Sequence, residues 1–244
     1  MSLPNRERTA NLLTLNTAIA KWPELDGPPL PTRPLLKDDW TVYVQLRAKG
    51  GQRMDVDNYK EYVKAVGVMR SLREFWPLYE MVPMPSQMDR KKVCLSDGSK
   101  EEVEGVMIFK DRIEPKWEHP ANKGGGSIRF AFQYRKLASL DLGSKVTTGG
   151  MGIVDEYWMS LVCAAIGNTL QNYDIIAGVK LVRKDREMRI ELWFTKADKG
   201  DVAALKAEAI KAMCTAMDGK LYEFVGTTQT TPHERFLNGS LSKI

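Results

Sequence analysis

Short runs of hydrophobic residues between polar segments recur along this chain, and they predict strands. Aromatic and β-branched residues dominate the stretch from Trp40 to Leu46, which is typical of a strand. Stretches of similar character lie at residues 106–109, 128–132, about 175–182, about 189–195 and 221–225. The alternation is most regular at 128–132, which predicts that one side of this strand faces solvent.

Other segments have the spacing of helices. They run from Tyr59 to Met69, from Ser71 onward, from Ile153 to Leu170, and from Asp201, the expected N-cap, to Gly219. Ser71 and Glu74 have the capping-box spacing, but Pro77 follows within two turns, so a short or displaced helix is expected there. Residues 161–166 are apolar on nearly every side and should be buried.

The ends of the chain differ from its centre. Prolines recur between residues 23 and 34 and oppose a continuous helix, so residues 1–36 are interpreted as a flexible arm. Residues 37–225 suffice to bury one core, and residues 226–244 are interpreted as a flexible polar tail. Strands and helices interleave without a regular βαβ rhythm. The expected fold class is therefore α+β, a single domain with a mostly antiparallel sheet and helices on one face.

Composition narrows the class of protein. The formal net charge of +5 favours a polyanionic partner without requiring one. The three cysteines are far apart, and two of them lie among apolar residues, which is typical of reduced thiols in a cytosolic protein. No apolar run has the length of a membrane span. The stretch at residues 12–20 contains too many polar residues for the hydrophobic core of a signal peptide. A cytoplasmic location is expected, and a nuclear one is left open.

Motifs for catalysis or metal binding are weak. Asp55 and Asp57 begin like a calcium loop but lack its glycine and closing glutamate, and residues 148–152 lack the end of a phosphate-binding loop. His119 and His233 stand in no metal-ligand or nucleophile–base spacing. The sequence therefore predicts a protein that is not an enzyme and that holds no metal or cofactor.

The stretch from Ile113 to Glu118 places an aromatic ring next to a carboxylate, close to three glycines at 124–126. A flat, positively charged base can stack on Trp117 by cation–π attraction while Glu118 accepts hydrogen bonds from its N–H edge. The base 7-methylguanine has both properties. An exposed Trp-Glu pair that merely covers a loop is the plainer interpretation.

The run Ile-Glu-Pro-Lys-Trp-Glu resembles the signature of the mRNA cap-binding family, translation initiation factor 4E. The similarity extends from about Arg33 to Glu223, with further motifs in the same order at 33–40, 74–79, 122–126, 157–159, 166–167 and 190–193. The resemblance implies a curved antiparallel sheet with three long helices on its convex face. It also implies that capped mRNA binds on the concave face and that an initiation scaffold or repressor protein binds on the convex face.

The chain departs from this family at two positions. Counting back from Trp76, Tyr59 stands at the position of the first stacking tryptophan, with Tyr62 as a nearby alternative. Tyrosine should weaken the stacking, and it resembles the cap-binding repressor branch of the family. Ser127 replaces the basic residue that usually follows the glycine turn, and Arg129 lies two residues later.

The resemblance implies that the basic hairpin at residues 183–189 binds the triphosphate, for which guanidinium groups are well suited. An ungapped count from Gly178 to Trp193 favours Lys184, Arg186 and Arg189 as the phosphate ligands, whereas a match to the family's Val-Arg pair favours Arg183. The sequence leaves both alignments open. A solvated turn is the simpler interpretation of such a charged run.

The resemblance also implies a partner-binding surface on the convex face, formed by Trp76 with Pro34, Leu72 and Met159, which receives a helical peptide. Trp40, Trp158 and Trp193 are expected to be structural. The predicted function is cap binding with partner recruitment in translation initiation. A cap-binding repressor or a protein-interaction module remains the alternative, and a cap hydrolase is disfavoured because the chain lacks clustered carboxylates for magnesium.

Overall fold

The computed structural model describes residues 12–14, 35–48, 59–90, 92–94, 99–140, 150–216 and 219–237. Its strands are β1 (Leu12–Thr14), β2 (Leu35–Leu46), β3 (Val63–Ser71), β4 (Lys92–Cys94), β5 (Lys100–Lys110), β6 (Gly126–Gln133), β7 (Ile176–Arg183), β8 (Glu187–Phe194) and β9 (Thr227–Pro232). Its helices are α1 (Tyr59–Tyr62), α2 (Leu72–Met81), α3 (Pro120–Lys123), α4 (Tyr134–Ala138), α5 (Gly150–Ile166), α6 (Lys199–Cys214) and α7 (Glu234–Leu237).

The strands form one curved, mostly antiparallel sheet. Its main order is β3-β2-β5-β7-β8-β6-β9, and each neighbouring pair in this order is antiparallel. The first residues of β5 also pair with β4, and β4 pairs with β1 in parallel. The predicted α+β class is confirmed, and so are the strands expected at 40–46, 106–109, 128–132, 175–182 and 189–195.

The main core lies between the sheet and the long helices α2, α5 and α6. Alternate residues of each strand face this core, as Val42 and Val44 of β2 do, and the helices cover them. Residues 161–166 of α5 lie at this core as predicted, with Cys163 the least buried of them. Trp40 and Trp158 are fully buried here, which confirms their structural assignment. Burial of this apolar surface provides the main driving force for folding.

The prediction of a helix from Tyr59 to Met69 is wrong. Only Tyr59–Tyr62 is helical, and the chain continues as strand β3. Pairing with β2 runs from Gln45↔Val63 to Trp40↔Met69, with an irregularity near Val66 that breaks the two-residue alternation. The sequence pattern of this segment therefore resembled that of a helix, but its hydrogen bonds to β2 make it a strand.

The end of the domain was also placed wrongly. Residues 221–225 form no strand beyond a single bridge between Thr215 and Leu221. The polar segment 227–232, assigned to the tail, is instead strand β9, which pairs with β6 at the edge of the sheet. His233 follows it and is completely buried. At the other end, β2 begins at Leu35, within the segment assigned to the arm.

Three smaller expectations are corrected by local contacts. Helix α6 is capped by Asp198, whose carboxylate accepts a hydrogen bond from the Asp201 amide at 2.9 Å, and it ends at Cys214. Helix α2 begins directly after Ser71 and continues through Pro77 for ten residues. The side of β6 that was expected to face solvent does not do so, because Ala131 on that side is buried as well. Within the described residues, no helix is long and apolar enough to cross a membrane.

Candidate ligand-binding site on the concave face

A second, smaller apolar cluster lies on the sheet face opposite the long helices. It consists of Val63, Met107, Phe109, Ala177 and Trp193, and we refer to it as the concave cluster. Tyr43, Tyr59 and Ile113 pack against its edge. The cluster forms because the strand residues between those of the main core point the other way. It provides an apolar floor beside the loop that joins β5 to β6.

That loop, residues 111–125, is the site loop, and it presents Trp117 and Glu118 to solvent. The Trp117 side chain is 38% exposed, unlike the fully buried Trp40 and Trp158. Pro115, two residues before it, is buried and anchors the loop. An aromatic ring and a carboxylate thus project together from a fixed base.

Asn122 holds the site loop in shape. It is completely buried, and its side-chain amide donates to the carbonyl oxygens of Glu114 and Lys116, both at 2.9 Å. These two carbonyls flank Pro115, so the amide fixes the backbone immediately before Trp117. Lys116 and Glu114 also form an ion pair of 2.5 Å.

The segment after β9 closes over the back of the site loop. The backbone N–H of His233 donates to the Gly125 carbonyl at 3.0 Å, and its ring lies 4.3 Å from the Trp193 ring between centroids. Burial lowers the pKa of the His233 imidazole. A side chain at Gly125 would come within 1.9 Å of the Phe194 carbonyl oxygen, so only glycine permits this close packing.

Tyr59 lies on the same side of the sheet as the site loop. Its pKa is raised, chiefly by burial and further by the proximity of Tyr43, Glu114 and Glu118. Its buried hydroxyl has no hydrogen-bond partner within the described part of the chain. Tyr62 instead packs against the main core on the other face. This geometry favours Tyr59 over Tyr62 as a stacking residue.

The basic hairpin between β7 and β8 divides its side chains between the two faces. Lys184 Nζ lies 3.1 Å from Glu104 on the concave face, and Arg189 pairs with Glu187 there. Arg183 points to the helix side, where its guanidinium opposes the rise in the pKa of Tyr134 that burial causes. Arg186 is exposed in the turn. Lys184 and Arg189 of the ungapped alignment thus lie on the concave face, and Arg183 of the alternative alignment lies on the opposite face.

Sequence reasoning did not identify a polar row beside the concave cluster. Arg129, Glu191 and Lys180 are direct neighbours across β6, β8 and β7. Arg129 lies 3.7 Å from Glu191, and the Trp193 indole N–H donates to Glu191 at 3.1 Å. Trp193 is thus buried as expected, but it also belongs to the site. The two-residue period of the predicted strand at 189–195 contained this information, since it puts Arg189, Glu191 and Trp193 on one side.

The convex face carries the residues expected to bind a partner protein. Leu72 and Trp76 are 43% and 49% exposed, and Trp76 packs edge-on against Phe75 at 4.8 Å between ring centroids. Met159 is partly buried against the main core. Pro34 lies outside the described residues. Across the described ranges, no three His, Cys, Asp or Glu side chains are grouped to hold a metal ion.

A curved antiparallel sheet backed by helices, with an exposed aromatic ring and carboxylate in a loop on its concave face, defines the class of this protein as an α+β fold with a candidate ligand-binding site on the sheet. The sequence model of the family described as "Eukaryotic initiation factor 4E" matches residues 35–235. The chain therefore belongs to the eukaryotic initiation factor 4E family, which confirms the resemblance of its site-loop sequence.

Individual relatives are distant. The eukaryotic translation initiation factor 4E of Dictyostelium discoideum is 24% identical over 205 residues, which cover 84% of this chain and 66% of the relative. Factor 4E-4 of Caenorhabditis elegans is 24% identical over 189 residues, covering 78% and 74%. This chain thus spans about two thirds of the length of the Dictyostelium protein.

Solved structures share the fold. That of C. elegans eIF4E-3 in complex with the 4E-binding protein Mextli has a TM-score of 0.60 at 17% identity, covering 87% of this chain and 99% of the other. That of Ascaris suum eIF4E-3 with the m7G cap has a TM-score of 0.55 at 18% identity, covering 79% and 93%.

Proposed function

We propose that this protein binds the 7-methylguanosine cap of mRNA and recruits a partner protein in translation initiation. The observation that carries the proposal is the site loop, which presents Trp117 and Glu118 to solvent. Its Ile113 packs against the concave cluster, and its Glu118 lies close enough to Tyr59 to act on that residue electrostatically. Membership in the initiation factor 4E family supports it. Further support comes from two solved relatives, one in complex with the m7G cap and one with a 4E-binding protein.

In the proposed mechanism, the methylated base stacks between Tyr59 and Trp117. Methylation makes the ring cationic, which strengthens its attraction to both aromatic faces. Glu118 accepts hydrogen bonds from the N1 and N2 edge of the base, and its negative charge complements the positive ring. Stacking of this kind contributes about 1–3 kcal/mol per base. The unpaired hydroxyl of Tyr59 is available to orient this ring or to bind the ligand.

The triphosphate is proposed to extend from the base toward the basic hairpin. Lys184 and Arg189 contact it from the concave face, with the exposed Arg186 at its outer end. Arg183, on the helix side, contributes only through its long-range charge.

The partner is proposed to dock on the convex face. Trp76 and Leu72 offer exposed apolar surface on one helix, α2, which suits an amphipathic helical peptide. Met159 is proposed to border this surface. Because the cap site lies on the opposite face of the sheet, both ligands can bind at once.

A cap-binding repressor is the second candidate function, and Tyr59 is the observation that favours it. The ring smaller than tryptophan should give a weaker sandwich, as in the repressor branch that this position resembles. The two roles differ in the partner that binds α2, and purification of the full chain with its bound proteins separates them. In either role we propose recognition without catalysis, in the cytoplasm.

Tryptophan fluorescence tests the proposal directly. Titration with 7-methyl-GTP should quench the exposed Trp117, whereas unmethylated GTP should not at the same concentration. Equal responses to the two nucleotides, or no saturable response to either, would contradict it. Recovery of unaltered cap analogue after incubation tests the absence of catalysis.

A further inference from the structure

The basic residues proposed to bind phosphate already have carboxylates next to them. Lys184 Nζ lies 3.1 Å from Glu104 Oε1, and Arg189 pairs with Glu187 on the same strand. Beside them, Arg129 lies 3.7 Å from Glu191. Within the described concave face, the basic surface is therefore an array of ion pairs, and its local charge is much lower than its number of lysines and arginines.

Neutral donors hold two of these three carboxylates, those of Glu104 and Glu191. The side-chain amide of Gln45, on β2, donates to Glu104 Oε2 at 3.1 Å. The indole N–H of Trp193 holds Glu191 in the same way at 3.1 Å. Because these donors are uncharged, they hold each carboxylate without adding to the positive charge. Glu104 and Glu191 therefore each have an uncharged partner besides a cation, whereas Glu187 is positioned by its pairing with Arg189.

The environment of Lys180 agrees with this arrangement. Lys180 lies between β5 and β8, paired with Met107 and Glu191. Burial lowers the pKa of its ammonium group, while Glu191 and Glu104 act in the opposite direction. Lys184 adds to the lowering. Glu104 therefore acts on both Lys184 and Lys180, and Glu191 acts on both Arg129 and Lys180.

A ligand phosphate must compete with these carboxylates for the same N–H groups. Each phosphate that approaches Lys184 or Arg189 gains attraction from the cation and meets repulsion from Glu104 or Glu187, so much of the gain cancels. The stacked base has no such competitor, since Tyr59 and Trp117 are uncharged.

We infer that Glu104 and Glu187 are internal counter-ions that compete with ligand phosphate, so that this site selects its ligand by the base more than by the number of phosphates. The part of this inference that concerns the base rests on the proposed function. The competition itself concerns only the hairpin and an anionic phosphate chain, and it can be measured without any base.

The test uses the full-length protein with E104Q, E187Q and the double variant. Glutamine keeps the size of the side chain and its ability to accept from Gln45 while removing the charge. E208Q is the matched control, because Glu208 pairs with Lys211 on α6, and its side chain is 28% exposed, the same as that of Glu104. E208Q changes the net charge of the protein by the same amount as E104Q or E187Q alone, but on the helix side of the molecule.

Two ligand series are measured. In the first, affinities for 7-methyl-GMP and 7-methyl-GTP are compared by fluorescence. We expect the triphosphate preference to rise about threefold for each carboxylate removed, a size appropriate to partly exposed charges, while 7-methyl-GMP changes less than about twofold. In the second, binding of inorganic tripolyphosphate is measured by calorimetry. It should strengthen in both concave variants, with a steeper loss on adding salt, and remain unchanged in E208Q.

Two results would overturn the inference. Tripolyphosphate affinity that is unchanged in the variants would show that the carboxylates do not compete. Affinity that falls would show that they hold Lys184 and Arg189 in position for phosphate. If 7-methyl-GMP fails to bind any form of the protein, the proposed function fails, yet the tripolyphosphate series still decides whether the carboxylates compete.

Discussion

The carbonyl oxygen of Asn122 accepts a hydrogen bond from Nδ1 of His233 at 2.8 Å, across 111 residues of sequence. Asn122 shapes the backbone before Trp117, and His233 follows the edge strand β9. The site loop is thus fastened to the residue that follows the last strand of the sheet. The candidate site depends on a C-terminal segment that contributes none of the groups proposed to contact the base.

Removal of the exposed tryptophan on the concave face should abolish base stacking. We expect Trp117→Ala to weaken 7-methyl-GTP binding by about 5- to 150-fold, because roughly 1–3 kcal/mol of stacking is lost. Trp76→Ala is the matched control, since it removes an exposed tryptophan from the opposite face. It should leave cap affinity unchanged and weaken capture of the convex-face partner. Equal cap affinity of the two variants would remove Trp117 from the site.

Enlargement of the other stacking ring should have the opposite effect. Tyr59→Trp is expected to raise the affinity for 7-methyl-GTP a few-fold, because tryptophan is the better cation–π partner. Tyr62→Phe, on the main-core side, should have no effect. Fluorescence titration measures both. A gain of affinity in a Tyr62→Trp variant, without one in Tyr59→Trp, would reverse the assignment.

The buried amide of Asn122 should matter for stability as well as for binding. Asn122→Ala leaves the Glu114 and Lys116 carbonyls without their donor, and we expect it to lower the free energy of unfolding by about 2 kcal/mol. Urea denaturation measures this loss. Lys123→Ala, at an exposed position of the same short helix, should change it by less than about 0.5 kcal/mol.

Because the His233 side chain is buried, we expect the folded protein to lose stability in mild acid. Its pKa in the folded protein is lowered, chiefly by burial, with the Asn122 carbonyl and Glu191 opposing the shift. Below the unfolded pKa of about 6.5, the unfolded chain therefore binds a proton that the folded protein resists. Stability is complete above that pH and falls as the pH decreases from it, by at most about 1.4 kcal/mol per pH unit for this group.

Thermal melting between pH 7.5 and 5 measures this dependence. Part of the decrease should disappear in His233→Gln, whereas His119→Asn, at the partly exposed N-cap of α3, should retain it. An identical pH profile in the His233 variant would show that another group is responsible.

The cap of α6 offers a test of the structure against the sequence pattern. Asp198→Ala removes the side chain that accepts from the Asp201 amide, and it should destabilise the protein by about 1 kcal/mol. Asp201→Ala, at the position that the pattern favoured, should cost less. The reverse order in denaturant unfolding would restore Asp201 as the cap.

Parts of the fold could be predicted because they depend on neighbours in the chain. The strands around Trp40, Val106 and Ile190 were found from their short runs of apolar, aromatic and β-branched residues, and the buried portion of α5 from its continuous apolar character. The strand β3 could not be found in this way. Its irregular pairing near Val66 breaks the alternation, so a segment stabilised by β2 has no period of its own.

The candidate site divides in the same manner. The adjacent Trp117 and Glu118 are visible in the sequence because their chemistry depends on two consecutive residues. The carboxylate of Glu104 beside the basic hairpin is not visible, since it reaches Lys184 only through the pairing of β5 with β7. A basic cluster in sequence is therefore an uncertain guide to the local charge.

The sequence by itself determined the family, the class of fold and the loop that presents the aromatic ring and carboxylate, because each follows from a contiguous pattern. Only the tertiary structure decided which face each charged side chain occupies, that polar residues 227–232 complete the sheet, and that His233 supports the site loop. These features depend on hydrogen bonds and ion pairs between residues far apart in the chain. Their partners are fixed only when the strands have paired and the core has closed.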